Sequence, residues 1–211
     1  MDNNQTTRNP SNAELFVFIV DDDDAVRDAL EELMDSVALR ALGFPSAQSF
    51  LKAYAPGQGG CLVLDIRMPG MGGLELQAEL SRRNILLPII FITGHGDVPM
   101  AVEAMQKGAF DFLQKPFRDQ DLLDRIKRAL SHYTEQRRTE QERCTILERL
   151  QRLTAREREV MEQVVEGKAN KVIAFELNIS QRTVEIHRAR VMDKMGAASL
   201  ADLISMAMQS R

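Results

Sequence analysis

Five short apolar runs divide the first 130 residues of the chain. The runs are Leu15–Val20, Leu39–Leu42, Cys61–Leu64, Ile89–Ile92 and Phe110–Leu113. Between them, apolar residues recur at intervals of three and four, which predicts helices. These helical stretches include Ala25–Val37, Leu74–Arg83 and Met100–Lys107. Because buried parallel strands are almost continuously apolar and are joined by helices, we predict a doubly wound α/β domain with a five-stranded parallel sheet over residues 14–130.

The end of the chain has a different pattern, which is helical throughout. A capping box at 154–157, Thr-Ala-Arg-Glu, starts the first helix. Two further helices, near Asn170–Leu177 and Gln181–Met195, are joined by a three-residue turn, and a fourth covers Leu200–Met208. Two helices joined by so short a turn are typical of a helix-turn-helix. We predict an all-α, four-helix domain over residues 150–211.

A polar helical stretch joins the two predicted domains. From Asp121 to Leu153 the chain contains neither Gly nor Pro, so the last helix of the first domain is expected to continue into a linker helix at 131–149. Its apolar stripe is broken in the middle, which leaves a coiled coil open. Residues 1–13 are polar and are predicted to form a disordered tail.

Composition limits the class of protein. Apolar residues make up 44% and charged residues 27% of the chain, as in globular domains. No apolar run approaches the length of a membrane span, and the polar start lacks a signal segment, so we expect a cytoplasmic protein without membrane association. Only two cysteines occur, Cys61 and Cys144, and we predict that both are reduced thiols.

The net charge of −4 is unevenly distributed. Residues 1–130 carry 13 Lys and Arg against 19 Asp and Glu, whereas residues 150–211 carry 10 against 8. An acidic first domain and a weakly basic second one suggest a cation site followed by a polyanion partner.

Polar side chains follow four of the predicted strands. Asp21 and Asp22 follow the first, Asp65 the third, Thr93 the fourth, and Lys115 comes shortly after the fifth. The carboxyl ends of parallel strands meet at one edge of the sheet, where ligands of flavodoxin-like folds bind. Three carboxylates together require a hard cation, and oxygen ligands favour Mg²⁺. Lys115 and Thr93 would then stabilise a phosphoryl group on Asp65.

A simpler interpretation exists for each of these residues alone. Residues 21–24 are also a good acidic N-cap for the first helix. A single Thr93 or Lys115 is usually a surface residue, and Phe112 in isolation is usually core. Their combination at the ends of four strands favours a site.

Residues 15–130 resemble the receiver domains of two-component response regulators. The resemblance lies in Ile-Val-Asp-Asp at 19–22, Asp-Ile-Arg-Met-Pro-Gly at 65–70 and Lys-Pro-Phe at 115–117, and Thr-Gly-His-Gly-Asp-Val-Pro-Met at 93–100 is similar to the FixJ subgroup. It implies that Asp65 accepts a phosphoryl group from a sensor histidine kinase. It also implies a cis peptide bond between Lys115 and Pro116.

The same resemblance implies a role for each matching residue. Asp22, Asp65 and the backbone carbonyl of Arg67 would hold Mg²⁺, with Asp21 assisting through water. Thr93 would be the switch hydroxyl and Phe112 the switch aromatic residue. Lys115 would bind the phosphoryl group.

The helix Gln181–Met195 has two distinct faces when its residues are placed 100° apart. Val184, Val191 and Met195 share an apolar face that should pack inwards. The opposite face, which would enter a major groove, carries residues that include Arg182, Glu185, Ile186, Ala189 and Arg190. An ordinary solvated surface helix is the alternative.

Residues 150–208 resemble the LuxR-type output domain of FixJ and NarL regulators. The matching segments are Thr-Ala-Arg-Glu-Arg-Glu-Val at 154–160, Asn-Lys-Val-Ile-Ala at 170–174 and Ile-Ser-Gln-Arg-Thr-Val-Glu-Ile-His-Arg at 179–188. By this resemblance Glu185, Ile186 and Ala189 face bases. The phosphate contacts would be Lys171, Arg182, Thr183 and Lys194. The weak positive charge favours dimerisation on DNA, which the helix with Leu200, Leu203, Ile204 and Ala207 would support.

The sequence thus predicts a phosphorylation-dependent transcriptional regulator, with activation as the family expectation. Its partners would be a sensor histidine kinase, double-stranded promoter DNA, RNA polymerase and, once phosphorylated, a second copy of the chain. The helix with Met100, Ala101 and Met105 would supply the dimer surface. It would not be an enzyme, beyond phosphorylating and dephosphorylating itself at Asp65.

Two alternatives remain. A phosphoester hydrolase with an aspartyl-phosphate intermediate is disfavoured because position 67 is Arg rather than a second Asp. A phosphorylation-independent DNA-binding regulator would use its receiver only as a dimerisation scaffold.

Overall fold

The computed structural model describes residues 14–94 and 98–210. The chain forms two compact units, Met1–Glu135 and Gln136–Arg211, which are described separately below. The tail predicted at residues 1–13 lies outside the described residues.

The N-terminal unit contains the five-stranded parallel sheet that the apolar runs predict. Its strands are β1 (Leu15–Val20), β2 (Arg40–Phe44), β3 (Gly59–Asp65), β4 (Ile89–Thr93) and β5 (Asp111–Gln114). They lie in the order β2-β1-β3-β4-β5, and each neighbouring pair is parallel. The chain reverses its direction of winding after β2, so the carboxyl ends of β1 and β3 lie side by side, where such sheets bind ligands.

Helices connect the strands and cover both faces of the sheet. They are α1 (Asp24–Ser36), α2 (Ala47–Ala53), α3 (Gly73–Arg82), α4 (Val98–Gln106) and α5 (Asp119–Gln151). The apolar pattern does not predict α2, although a capping box between Ser46 and Ser49 marks its start. Within 14–94 and 98–210, no helix combines the length and the apolar character needed to cross a membrane.

Successive side chains along each strand point to opposite faces of the sheet, and each face has its own hydrophobic core. On β1, Phe18 and Val20 face the core that also contains Phe50 and Leu76, from α2 and α3. Val17 and Ile19 face the opposite core, with residues of α1 and α5. The central strands are therefore apolar up to the polar residues at their carboxyl ends, because both of their faces are buried.

A buried glutamine ties α3 to the end of α4. The side chain of Gln77 on α3 donates from Nε2 to the carbonyl oxygens of Ala104, at 3.1 Å, and Lys107, at 3.2 Å. The carbonyl of Ala104 also accepts from the backbone amides of Lys107 and Ala109, so Gln77 adds a side-chain bond to the turn that ends α4 and joins it to α3.

The C-terminal unit is entirely helical over its described residues. After the end of α5 it contains α6 (Ala155–Val165), α7 (Asn170–Glu176), α8 (Gln181–Met195) and α9 (Leu200–Gln209). These helices match the four predicted from the sequence within one or two residues. Their common core also includes Ile146 and Leu153, which come from the end of α5 and the residues after it.

Both cysteines are free thiols, as the composition predicts. Cys61 is fully buried in β3, and burial raises the pKa of its thiol to about 12. Cys144 is exposed on α5. The two side chains therefore differ in their access to solvent.

One glycine is required by the pairing of β3 with β1. Gly60 has a φ of +151°, and a Cβ atom there would lie 1.8 Å from the carbonyl oxygen of Phe16. Since the obstructing atom belongs to the backbone of a central strand, it has little freedom to move.

We therefore expect Gly60→Ala to lower the free energy of unfolding of the N-terminal unit by about 3 kcal/mol or more. Urea denaturation of the full chain measures the effect. Gly57→Ala is the matched control, because Gly57 has a positive φ of 93° but open space around its Cβ position. The Gly57→Ala substitution should lower the free energy of unfolding by about 1 kcal/mol. Equal losses in the two variants would contradict the steric explanation.

Candidate functional site

An ion cluster lies at the carboxyl edge of the sheet. Asp21 directly follows β1, Asp65 ends β3, and Lys115 directly follows β5. The ammonium group of Lys115 is 2.9 Å from Oδ2 of Asp21 and 3.1 Å from Oδ1 of Asp65. The fold thus brings three of the predicted site residues into direct contact across separations of 94 and 50 residues.

Backbone amides hold both carboxylates in place. Oδ2 of Asp65 accepts a hydrogen bond from the amide of Arg67, at 2.7 Å, and Oδ1 of Asp21 accepts one from the amide of Asp23, at 3.0 Å. The Asp21 side chain is only 4% exposed, and that of Asp65 is 12% exposed. The carboxylate of Asp65 is therefore oriented before any ligand arrives.

The cluster has more negative charge than its lysine can balance. Burial raises the pKa of Asp65 above its ordinary value, and the negative charge of Asp21 raises it further, against the opposing effect of Lys115. For Lys115, burial alone would lower the pKa, but hydrogen bonds and attraction to Asp21 and Asp65 raise it overall. One ammonium group between two carboxylates leaves a net negative charge that a further cation would stabilise.

The oxygen-rich cluster suits a hard divalent cation, although its predicted ligands are incompletely assembled. Asp21 and Asp65 lie together, whereas Asp22 is exposed. Among residues 14–94 and 98–210, no group of three His, Cys, Asp or Glu side chains is arranged as a metal site. The carboxylates of Asp21, which is buried, and Asp65, which is half-buried, nevertheless provide the oxygen donors that Mg²⁺ prefers.

The two predicted switch residues lie in contrasting surroundings. Thr93 ends β4 and is buried, and its carbonyl accepts a hydrogen bond of 2.7 Å from the amide of Lys115. Phe112 on β5 is 38% exposed and is therefore not plain core. The peptide bond between Lys115 and Pro116 is cis, as the family resemblance implies.

Apolar side chains of α4 and β5 form an exposed surface, which differs from the predicted one. Val102 and Met105 on α4 are exposed, as is Phe112 on β5. Ala101 was expected to belong to this surface, but it is 1% exposed and packs inside. It lies on the inward side of α4.

Sequence reasoning missed one residue beside the ion cluster. Arg27 on α1 donates from Nη1 to the backbone carbonyl of Asp21, at 2.7 Å, and forms an ion pair with Asp24. Its guanidinium group thus helps to fix the loop that carries Asp21. Nothing in the local pattern distinguishes Arg27 from an ordinary surface arginine.

In the C-terminal unit, α8 has the two faces that its sequence predicts. Val184, Val191 and Met195 are buried. The opposite side is exposed, and its residues are Arg182, Glu185, Ile186, Ala189 and Arg190. Ser180 caps the helix by accepting a hydrogen bond from the amide of Thr183, at 3.0 Å. Lys171 is exposed at the start of α7.

Lys194 lies in a different environment from the other predicted phosphate contacts. Its ammonium group is 2.6 Å from Oε2 of Glu157, which is itself 2% exposed. The same oxygen accepts from the amide of Thr154 at 2.9 Å and closes the predicted capping box. These bonds to Lys194 and Thr154 lower the pKa of Glu157 to about 2.

The apolar face of α9 is only partly available to a partner. Leu203 and Ala207, which we expected at a dimer surface, are buried in the core of their own unit. Leu200, which was predicted for the same surface, is exposed at 41%, and Ile204 is half-buried. Met208, which was not predicted, is 68% exposed. The apolar pattern of α9 shows which residues avoid water, but it does not show which of them pack against their own unit and which remain exposed.

Family models match both units of the chain. Residues 17–127 match the response regulator receiver domain, and residues 151–207 match the luxR family of bacterial regulatory proteins. The predicted fold class and family resemblance are confirmed by these matches.

Several relatives match nearly the whole chain. The transcriptional regulatory protein FixJ of Azorhizobium caulinodans is 50% identical over 92% of this chain and 92% of its own length. The response regulator protein TodT of Pseudomonas putida is 43% identical over 93% of this chain and 87% of its own length. Among solved structures, the response regulator StyR is 43% identical, with a TM-score of 0.85, over 93% of this chain and all of that one. The structure of full-length FixJ from B. japonicum is 44% identical, with a TM-score of 0.59, over 94% of this chain and 98% of that one.

The depressed pKa of Glu157 predicts a pH-dependent stability of the C-terminal unit. At neutral pH, Glu157→Gln should lower its free energy of unfolding by about 1–2 kcal/mol, because the charged hydrogen bonds are lost. The carboxylate contributes fully above its ordinary pKa of 4.5, and this contribution disappears as the pH falls towards 2. The difference between the two proteins should therefore shrink over that range.

Native-state hydrogen exchange at the amides of α6 in the full chain measures this difference. Glu159→Gln is the matched control, since Glu159 is exposed, its ion pair with Arg156 is partly solvated, and the pair should contribute little. A stability difference that stays constant down to low pH would contradict the assignment.

Proposed function

Because this chain belongs to the FixJ-type response regulators, in which a receiver domain precedes a LuxR-family DNA-binding domain, we propose that phosphorylation of Asp65 controls its binding to promoter DNA. Regulation of transcription in response to phosphorylation is the established role of the family. The contact of Lys115 with both Asp21 and Asp65 is the observation on which our assignment of the site depends. We propose residues 14–130 as the receiver, 131–149 as the linker and 150–211 as the DNA-binding domain.

The proposed reaction transfers a phosphoryl group from a histidine of a sensor kinase to Asp65. A carboxylate oxygen of Asp65 attacks phosphorus, the P–N bond breaks, and the imidazole nitrogen keeps the electron pair. The backbone amide of Arg67 holds one oxygen of Asp65 at 2.7 Å and leaves the other facing Lys115. Lys115 then pairs with the phosphoryl oxygens and balances their charge.

We propose Mg²⁺ as the cofactor of this step, held by Asp22, Asp65 and the carbonyl of Arg67, with Asp21 assisting through water. The ion would neutralise charge on the transferred phosphoryl group. The excess negative charge of the cluster supports this assignment. Asp22 follows Asp21 directly, and its exposed side chain is not held by the surrounding core.

Phosphorylation would be transmitted through Thr93 and Phe112. The hydroxyl of Thr93 moves towards the phosphoryl oxygens, and the space it leaves accepts the ring of Phe112. The surface of Val102, Met105 and Phe112 then changes shape and binds the same surface of a second copy. Its exposed apolar side chains support a role as an interface.

In the proposed dimer, two α8 helices read a two-fold promoter site in the cytoplasm. Glu185, Ile186 and Ala189 would face bases, with Arg190 beside them, and a glutamate can accept a hydrogen bond from N4 of cytosine. Lys171, Arg182 and Thr183 would contact phosphates. RNA polymerase is the proposed partner for activation. Beyond the chemistry at Asp65, we propose no enzymatic turnover.

Asp65→Asn tests the proposal against the alternative of a phosphorylation-independent regulator. Wild-type protein treated with a small acyl phosphate and Mg²⁺ should gain the mass of one phosphoryl group, dimerise and bind DNA more tightly. The variant should do none of these, because an amide cannot act as the acceptor. Intact-mass spectrometry, light scattering and fluorescence anisotropy provide the three measurements.

Asp28→Asn is the matched control, because Asp28 is an exposed residue of α1 outside the ion cluster. It should behave as the wild type. Phosphate-dependent dimerisation of Asp65→Asn would exclude this mechanism, and equal DNA binding by treated and untreated wild type would favour the scaffold alternative.

A further inference from the structure

The carboxyl end of α8 is fastened by a residue from the end of α5. The guanidinium group of Arg149 donates from Nη1 to the carbonyl oxygen of Met195, at 2.7 Å. Gly196 ends the helix with a φ of +63°, and a Cβ atom there would lie 2.9 Å from the same nitrogen. Arg149 therefore covers the end of α8 and satisfies a terminal carbonyl, with its positive charge at the negative end of the helix dipole.

A second contact fastens the same turn. Lys194 donates to Oε2 of Glu157, at 2.6 Å, and to the carbonyl oxygen of Arg152, at 3.2 Å. Glu157 is buried, so its charge depends on this ammonium group for compensation. Withdrawing Lys194 from Glu157 to reach DNA would leave a buried carboxylate without its cation, held only by the polar groups of Thr154.

The partners of both residues belong to one short segment. Residues 149–157 provide Arg149, the carbonyl of Arg152 and the carboxylate of Glu157. Arg158 closes this segment by donating to the carbonyl of Leu150, at 2.9 Å. The last turn of α8 is thus held at a fixed position on the junction between α5 and α6.

We propose that Arg149 and Lys194 are positioning residues for DNA recognition, which clamp the last turn of α8 and do not themselves contact phosphate. This proposal rests on the DNA-binding function proposed above. It departs from the sequence-based expectation that Lys194 contacts phosphate. It also gives Arg149, which lies in the linker sequence, a part in recognition.

Lys171 and Arg182 provide the comparison that separates a clamp from a phosphate contact. Both side chains are exposed, and within residues 14–94 and 98–210 neither forms an ion pair. A lysine or arginine that neutralises one phosphate contributes about one unit to the slope of log affinity against log salt concentration. A residue that acts only by holding α8 contributes to affinity but not to this slope.

The experiment measures binding of the full chain, treated with acyl phosphate, to a fluorescent DNA duplex of mixed sequence over a range of salt concentrations. Lys171→Met and Arg182→Met should each reduce the slope by about one. Arg149→Met and Lys194→Met should weaken binding by about threefold to tenfold while the slope stays at its wild-type value. Arg149→Lys and Lys194→Arg should restore most of the affinity.

Glu157→Gln tests the same idea without removing a cation. If Lys194 acts as a clamp, this variant should weaken binding as Lys194→Met does, again without a change in slope. If Lys194 is a phosphate contact, release from Glu157 should leave binding equal or tighter. Hydrogen exchange in the free protein gives a second readout: amides 193–197 should exchange faster in Arg149→Met and Glu157→Gln than in Lys171→Met.

The outcomes separate the clamp from the function on which it rests. A slope that falls by about one in Lys194→Met, with unchanged exchange at 193–197 in Arg149→Met, would overturn the clamp alone. A wild-type chain that shows no salt-dependent binding to the duplex would overturn DNA binding itself, and the positioning role with it.

Discussion

The N-terminal unit is organised around a single ammonium group shared by two carboxylates. Lys115 is held between Asp21 and Asp65 by three different strands, so the contact exists only when the whole sheet is assembled. Because one ammonium group cannot balance two carboxylates, an additional cation would stabilise the cluster and an additional anion would destabilise it. The carboxylates of Asp21 and Asp65 repel each other. They are kept close by the strand order, by the two hydrophobic cores that hold the sheet, and by the backbone amides that bind them.

The C-terminal unit also contains a lysine–carboxylate pair, but there the pKa of the carboxylate is shifted in the opposite direction. In both units a lysine pairs with a carboxylate distant in sequence, but the pKa of Glu157 is lowered to about 2, whereas that of Asp65 is raised. Glu157 receives hydrogen bonds from an ammonium group and a backbone amide, and these outweigh the effect of burial on its pKa. Asp65 shares its lysine with Asp21. Glu157 thus stabilises the fold of its unit, whereas Asp65 is the residue that we propose as the phosphoryl acceptor.

Much of the fold and site could be predicted because it depends on local patterns. Apolar runs indicated the five strands, and polar residues at or shortly after the ends of the first, third and fifth runs indicated Asp21, Asp65 and Lys115. The inward face of α8 followed from helical spacing alone. In contrast, α2 has only seven residues, too few for a periodic pattern to be distinctive.

The features that sequence could not supply depend on contacts between distant residues. The family resemblance implies that Lys194 contacts phosphate, but its partner Glu157 lies 37 positions away and could not be foreseen. Ala101, Leu203 and Ala207 belong to apolar helix edges, and only tertiary packing determines which edge is covered. Likewise, consecutive aspartates at 21 and 22 look equivalent in sequence, although only the first is buried.

The different surroundings of the two cysteines make the native protein suitable for site-specific labelling. At neutral pH a thiol with a pKa of about 12 is almost entirely protonated, and Cys61 is in addition inaccessible to reagents. Cys144 is exposed on the helix that joins the receiver to the output domain. A maleimide dye or nitroxide should therefore attach at one place without any engineered substitution, and its signal would report on the linker as the phosphorylation state changes.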